Sequence, residues 1–138
     1  MATEGPLIHD GSQCVATSNY GKGVVGLAGP GSSGQFLAVY INASRSVGIC
    51  ATAGAEAYGI LQNDPPSGAA ADVGILGVTK AVAGSNAITA GGNLATDASG
   101  RLVAATGTQN VIAVAIEASS ATNQIITVSI VPNSKGGY

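Results

Sequence analysis

Between Gly91 and Val131 the chain alternates. Ile126, Val128 and Ile130 take turns with Thr127 and Ser129, and Ile112, Val114 and Ile116 take turns with alanines. A period of two sends every second side chain to the same side of an extended strand, whereas a helical stripe recurs every three or four residues. Leu94 opens an earlier strand, Asp97-Ala98-Ser99-Gly100 reads as a turn, and Leu102 and Val103 lie in the strand that follows. The stretch is therefore expected to form four short strands in sequence. The Ile/Val sets of the last two should face the core.

The same grammar occurs once before. Gly34-Gln35-Phe36-Leu37 matches Gly91-Gly92-Asn93-Leu94, and Ala43-Ser44-Arg45 matches Ala98-Ser99-Gly100-Arg101 with one insertion. Tyr58-Gly59-Ile60-Leu61 corresponds to Val114-Ala115-Ile116-Glu117, and Val73-Gly74-Ile75-Leu76 to the last strand. A β unit used twice implies two similar sheets or half-barrels closing over one core. The expected fold is all-β: a small β-sandwich or β-barrel of two similar strand-rich halves, with an extended N-terminal arm. Residues 1–12 form the arm, 13–132 a single β domain with an internal repeat of 34–77 and 91–131, and 133–138 a flexible tail.

The first half of the chain supplies its own strands and breaks. Val24, Val25 and Leu27 read as a strand, as do Phe36 to Ile41, Val47 to Ala51 and Ala57 to Leu61. Gln62-Asn63-Asp64-Pro65-Pro66-Ser67-Gly68 is the strongest breaker. Its proline pair removes ladder donors, so a surface loop is expected. Val73 to Val82 holds two short strands around Gly77.

Composition bears on what such a body does. Charged residues are 9% and aromatics 4%, with no Trp and 21 glycines, so the core must be thin layers of Val, Ile, Leu and Ala. A surface so poor in charge is usually covered by copies of itself or by a partner. The five basic residues are scattered and the net charge is −2, which disfavours nucleic acid as a partner. Polar residues and glycines interrupt every apolar run, so no membrane partner is expected, and the first residues lack the pattern of a secretory signal. Cys14 and Cys50 are too few for a disulfide framework and read as small buried groups in a reducing cytosol, a single bridge being the alternative.

Few residues suggest chemistry. Gly29-Pro30-Gly31-Ser32-Ser33-Gly34 fits GxGxxG formally, but Pro30 removes an amide donor and a strand follows where a dinucleotide site needs a helix. His9-Asp10 with Ser12 has the atoms of a nucleophilic site without the scaffold to hold them together. His9 is the only histidine, which disfavours a histidine metal site. Asp72 and Glu117 fall in or beside matching parts of the repeats, where a close approach would allow acid–base work or Ca²⁺ binding, but turn and surface roles are the expected ones. Lys80, in Val-Thr-Lys-Ala-Val, raises a biotinyl or lipoyl carrier, but the usual flanking residues are missing. Asn42-Ala43-Ser44 is a formal glycosylation site, relevant only along a eukaryotic secretory route. No cofactor is expected, nor an enzyme.

From Val78 onward the order of residues resembles the capsid decoration, or cement, proteins of tailed bacteriophages. The resemblance rests on Ile88-Thr89-Ala90-Gly91 through Leu94, the turn from Asp97 to Gly100-Arg101, Ala113 to Glu117-Ala118, and the last strand Ile125 to Val131. It covers residues 73–132 and reaches the first half only through the repeat. It implies a structural virion protein, made in the host cytoplasm and seated on the outer capsid surface. There it clamps neighbouring major capsid protein subunits, commonly as a homotrimer. The arm, with Leu7 and Ile8 as apolar anchors beside His9 and Asp10, is the expected partner-binding segment. The alternative is a carbohydrate-binding or adhesive β module, for which a clustered pair of exposed tyrosines would be the sign.

Overall fold

The structure, a computed structural model, describes residues 24–25, 34–43, 47–65 and 71–134, with the backbone alone at 24–25 and 132–134. The arm at 1–12, with Leu7, Ile8, His9 and Asp10, lies outside the described residues, as does Cys14. The fold is all-β. In chain order the strands are β1 (Val24–Val25), β2 (Ala38–Ile41), β3 (Val47–Ile49), β4 (Gly59–Leu61) and β5 (Val73–Gly74). Then come β6 (Gly77–Val82), β7 (Asn93–Thr96), β8 (Leu102–Ala104), β9 (Val111–Ala115) and β10 (Ile125–Ser134).

Two sheets result, ordered β1-β3-β2-β4-β5 and β6-β10-β9-β7-β8. Four strands of each follow one plan. β3-β2-β4-β5 and β8-β7-β9-β10 are both antiparallel throughout. Their registers also correspond: Val39 pairs with Ile49 as Leu94 pairs with Ala104, and Leu61 pairs with Val73 as Ala115 pairs with Val128. By these ladders Leu94 is the counterpart of Val39, two residues beyond the Leu37 that a residue-by-residue match selects. The shift keeps the side-chain face, because the period is two. The sheets differ in their fifth strands: β1 runs parallel to β3, and β6 antiparallel to β10.

The second sheet curls. Ala83, just after β6, bridges Leu102 of β8, and the Gly84 amide donates to Leu102 O at 2.7 Å, so the two ends of the sheet meet. The first sheet is stitched to the seam: Val82 N donates to Phe36 O at 3.0 Å and Ala38 N to Gly100 O at 2.7 Å. Inside, Leu94, Leu102, Ile126, Val128 and Ile130 pack with Ala38, Cys50 and Ile60 from the first sheet. A second cluster, Val39, Val47, Leu61, Ala71 and Val73, is buried on the other side of the first sheet. Its strands thus carry apolar residues at consecutive positions, as a sheet covered on both faces requires.

Strand β10 behaves as its alternation predicts, with Ile126, Val128 and Ile130 buried. Strand β9 corrects the expectation. Ala113 and Ala115 are its buried residues, Val114 is half-buried and Ile116 is exposed; Ile112 alone of the larger set joins the core. Residues opposite one another in a ladder share a face. Ala113 stands opposite both Leu94 and Ile130, and Ala115 opposite Val128, so small residues fill the row between large ones. A second correction concerns β2, which begins at Ala38 rather than Phe36. Phe36 has φ 67°, and Leu37 N closes a turn onto Gly34 O.

The loop after β4 is not wholly at the surface: Pro65 is buried, while 66–70 lie outside the described residues. Gln62 fixes its start. The Gln62 amide nitrogen donates to Ile60 O at 2.9 Å, and its Oε1 accepts the Thr79 hydroxyl of β6 at 2.8 Å. One side chain thereby ties the first sheet to the second. The Asp97 turn forms as expected, with Oδ1 accepting the amides of Ser99 at 2.7 Å and Arg101 at 2.9 Å. Its Oδ2 receives Arg101 Nε at 2.8 Å.

Candidate interaction face

Strands β6 and β10 present a face turned away from the core. Val78 lies opposite Ser129, Lys80 opposite Thr127 and Val82 opposite Ile125. The inward partners of this ladder, Ala81, Ile126 and Val128, are buried, so the other set points outward. Val78 is 56% exposed, Ile125 52% and Ile116 47%. Three large aliphatic groups on one patch, separated by Ser and Thr, do not stabilise this chain by their burial in it.

A polar cluster sits among them. Lys80 Nζ donates to Thr127 Oγ1 at 2.6 Å and lies 3.7 Å from a Glu117 carboxylate oxygen. That same oxygen accepts the Thr127 amide at 2.6 Å. Glu117 reaches this position because the β9–β10 ladder ends in a bulge: the amides of Ile116 and Glu117 both donate to Thr127 O. An extra residue opposite one partner re-aims the side chains that follow it. Hydrogen bonding by the Thr127 hydroxyl, then by its amide, then the Lys80 charge hold the Glu117 carboxyl below the usual carboxylate range. The pair is exposed to water, so it organises the patch more than it stabilises the fold.

A second feature is an apolar cleft of about 230 Å³ between the sheets. Ala57, Tyr58, Ile60 and Ile75 line it from one side and Ile112, Ile130 and Val131 from the other. Tyr58, at its rim, and Tyr40, on the neighbouring β2, are each 40% exposed. Among the described residues no charged side chain lines the cleft.

The residues singled out in the sequence are distributed as follows. Leu7, Ile8, His9 and Asp10 lie outside the described residues. Glu117 is engaged with Lys80 and Thr127, while the backbone of Asp72 is held by Gln62 and Asn63. Lys80 sits within a paired strand and not on a hairpin tip. Cys50 is a free, buried thiol, and desolvation pushes its pKa up to about 11, leaving it protonated at neutral pH. Among the described residues no three His, Cys, Asp or Glu side chains are grouped to hold a metal ion, and no helix is long and apolar enough to cross a membrane. Sequence reading missed the Val78–Ile116–Ile125 patch, although its signal was present in the alternation Val78, Lys80, Val82.

Compared with protein families, with curated proteins and with solved structures, the chain matches none.

Proposed function

We propose that this protein is a structural virion component, a decoration protein that binds the outer face of a tailed-phage head and stabilises contacts between major capsid protein subunits. The observation that carries the reading is the exposed face of β6 and β10. Val78, Ile116 and Ile125 stand there on a stiff sheet, with Lys80 and Glu117 neutralising each other between them. A clamp needs rigid apolar contact and an edge to add to; it needs no group that makes or breaks bonds. Copies repeated over a shell turn weak single contacts into firm attachment. The resemblance over residues 73–132 supplies the kind of partner. Leu7 and Ile8, with His9 and Asp10, serve in this reading as an additional anchor.

The test is co-sedimentation of the purified chain with heads that lack their decoration protein. Saturable binding, weakened at least tenfold by replacing Val78 and Ile125 together with Ser, is expected. Absence of binding to such heads from the phage that encodes the chain refutes the proposal.

One observation favours a second reading, a carbohydrate-binding or adhesive module. Tyr40 on β2 and Tyr58 just before β4 lie half-exposed beside an apolar cleft, and sugar rings stack on such aromatic faces. Binding to immobilised glycans that disappears in Tyr40→Ala and Tyr58→Ala would support it over the first.

A further inference from the structure

We propose that the outer edge of β6 pairs with the same edge of a second copy, antiparallel, about a two-fold axis passing Thr79. This inference does not depend on the capsid reading, since it concerns how copies of the chain meet whatever they bind.

The edge is defined by the backbone. Among the described strands β6 is the end of its sheet, bonded to β10 on one side. On the other side, Val82 N donates to Phe36 O, whereas Ala83 N turns back to Gln124 O. Strand geometry alternates these directions, so Val78 and Lys80 present their N–H and C=O groups to the same outer edge as Val82. Among the described residues none pairs with those groups across the edge. Lys80 O receives only a long 3.4 Å contact from the Thr79 hydroxyl, whose shorter bond is to Gln62. Phe36 closes the ladder at Val82, leaving open a short window centred on Thr79.

That window is complementary to itself. Rotation about Thr79 places Val78 of one copy opposite Lys80 of the other, and the reverse. Every open N–H and C=O of the window then meets its counterpart, as an isologous contact demands. Charge selects the same register. Pairing Lys80 opposite Lys80 would set like charges side by side, whereas this register lays the lysine stem over Val78. An unpaired charge on an end strand normally discourages such pairing. Here Glu117 holds Lys80 at 3.7 Å and removes that protection. No proline or bulge interrupts β6 against β10 from Gly77 to Val82. The pairing also makes the two outward faces continuous, bringing the exposed aliphatic groups of both copies onto one surface.

The experiment is sedimentation equilibrium of the full chain, with amide hydrogen exchange across a hundredfold range of concentration. The expected result is a species of twice the 13.2 kDa chain mass. Exchange at Val78 and Lys80 should slow as concentration rises. Val78→Pro removes an edge N–H that β10 does not use and should yield a monomer with an unchanged far-UV spectrum. Should that variant fail to fold, Val78→Lys leaves the backbone intact and should raise the dissociation constant at least tenfold by opposing two lysines. A monomeric or trimeric wild-type chain overturns the proposal. So do a dimer that persists in a folded Val78→Pro or Val78→Lys variant, and protection of Val78 and Lys80 that does not change with concentration. A three-fold assembly, as the phage resemblance implies, would leave the capsid reading standing while removing this one.

Discussion

Replacing Gly100 with Ala tests how the two sheets are locked together. Gly100 ends the Asp97 turn with φ 77°, and its carbonyl accepts Ala38 N from the first sheet. A Cβ there would lie 2.6 Å from Ile49 Cγ2 and 3.0 Å from Ala38 O. Two costs are combined. The left-handed backbone disfavours an L side chain by about 1–2 kcal/mol. Forcing a methyl group into a packed contact adds about 1–3 kcal/mol. Gly91 separates them, because its φ is 82° but nothing lies within 4 Å of its Cβ position. Gly91→Ala should therefore cost only the first, about 1–2 kcal/mol, and Gly100→Ala about 2–5 kcal/mol. At roughly 3–5 °C per kcal/mol for a domain of this size, the second variant should melt well below the first. Thermal and urea unfolding followed by far-UV circular dichroism measure both. Equal losses in the two variants would show that the turn does not press against Ile49 and Ala38, and the account of the seam would fail.

Three further outcomes are expected. Ala115→Val should destabilise by about 1–3 kcal/mol through overpacking, whereas Ile116→Thr should change urea stability by no more than about 0.5 kcal/mol; the opposite order would restore the larger residues of β9 to the core. Asp97→Ala should cost about 1–3 kcal/mol by taking the acceptor from the part-buried Arg101 amide and Nε, while the exposed Ser99 amide turns to water and the guanidinium keeps Asn123; Asp97→Asn should fall between it and wild type in the same unfolding assay. In a Cys14→Ser background, Cys50 should resist a thiol reagent at pH 8 until the chain unfolds. Because its folded pKa, about 11, exceeds an unfolded value of about 8.5, its contribution to stability is present below that value. It should decline as pH rises toward the folded pKa, and a midpoint for urea unfolding of that background that falls no faster over this range than in the Cys50→Ala counterpart would count against the buried thiol.

How much was legible in the sequence varied by element. Strand β10 was plain, because Thr127 and Ser129 are polar enough to mark the opposite face as outward. The Asp97 turn was equally plain, since its chemistry is local: one carboxylate, two amides and a glycine within a few residues. The candidate face was half-legible. Val78, Lys80 and Val82 alternate in the sequence, but their neighbours Ile125 and Ile116 come from strands that only the ladder brings alongside.

The sequence by itself determined that the chain is built of strands, that one unit of strand order occurs twice, and where the chain turns. These follow from side-chain period and turn chemistry, which act between near neighbours. Only the tertiary structure decided which side of β9 turns inward, because both of its faces are apolar and alternation cannot rank alanine against isoleucine. The large residues Leu94, Val128 and Ile130, standing opposite its alanines, made that choice. Closure of the second sheet through Ala83 and Leu102, and the run of β6 beside it whose outer side pairs with no other described residue, were decided in the same way. They depend on hydrogen bonds between residues far apart in the chain, whose geometry no local pattern records.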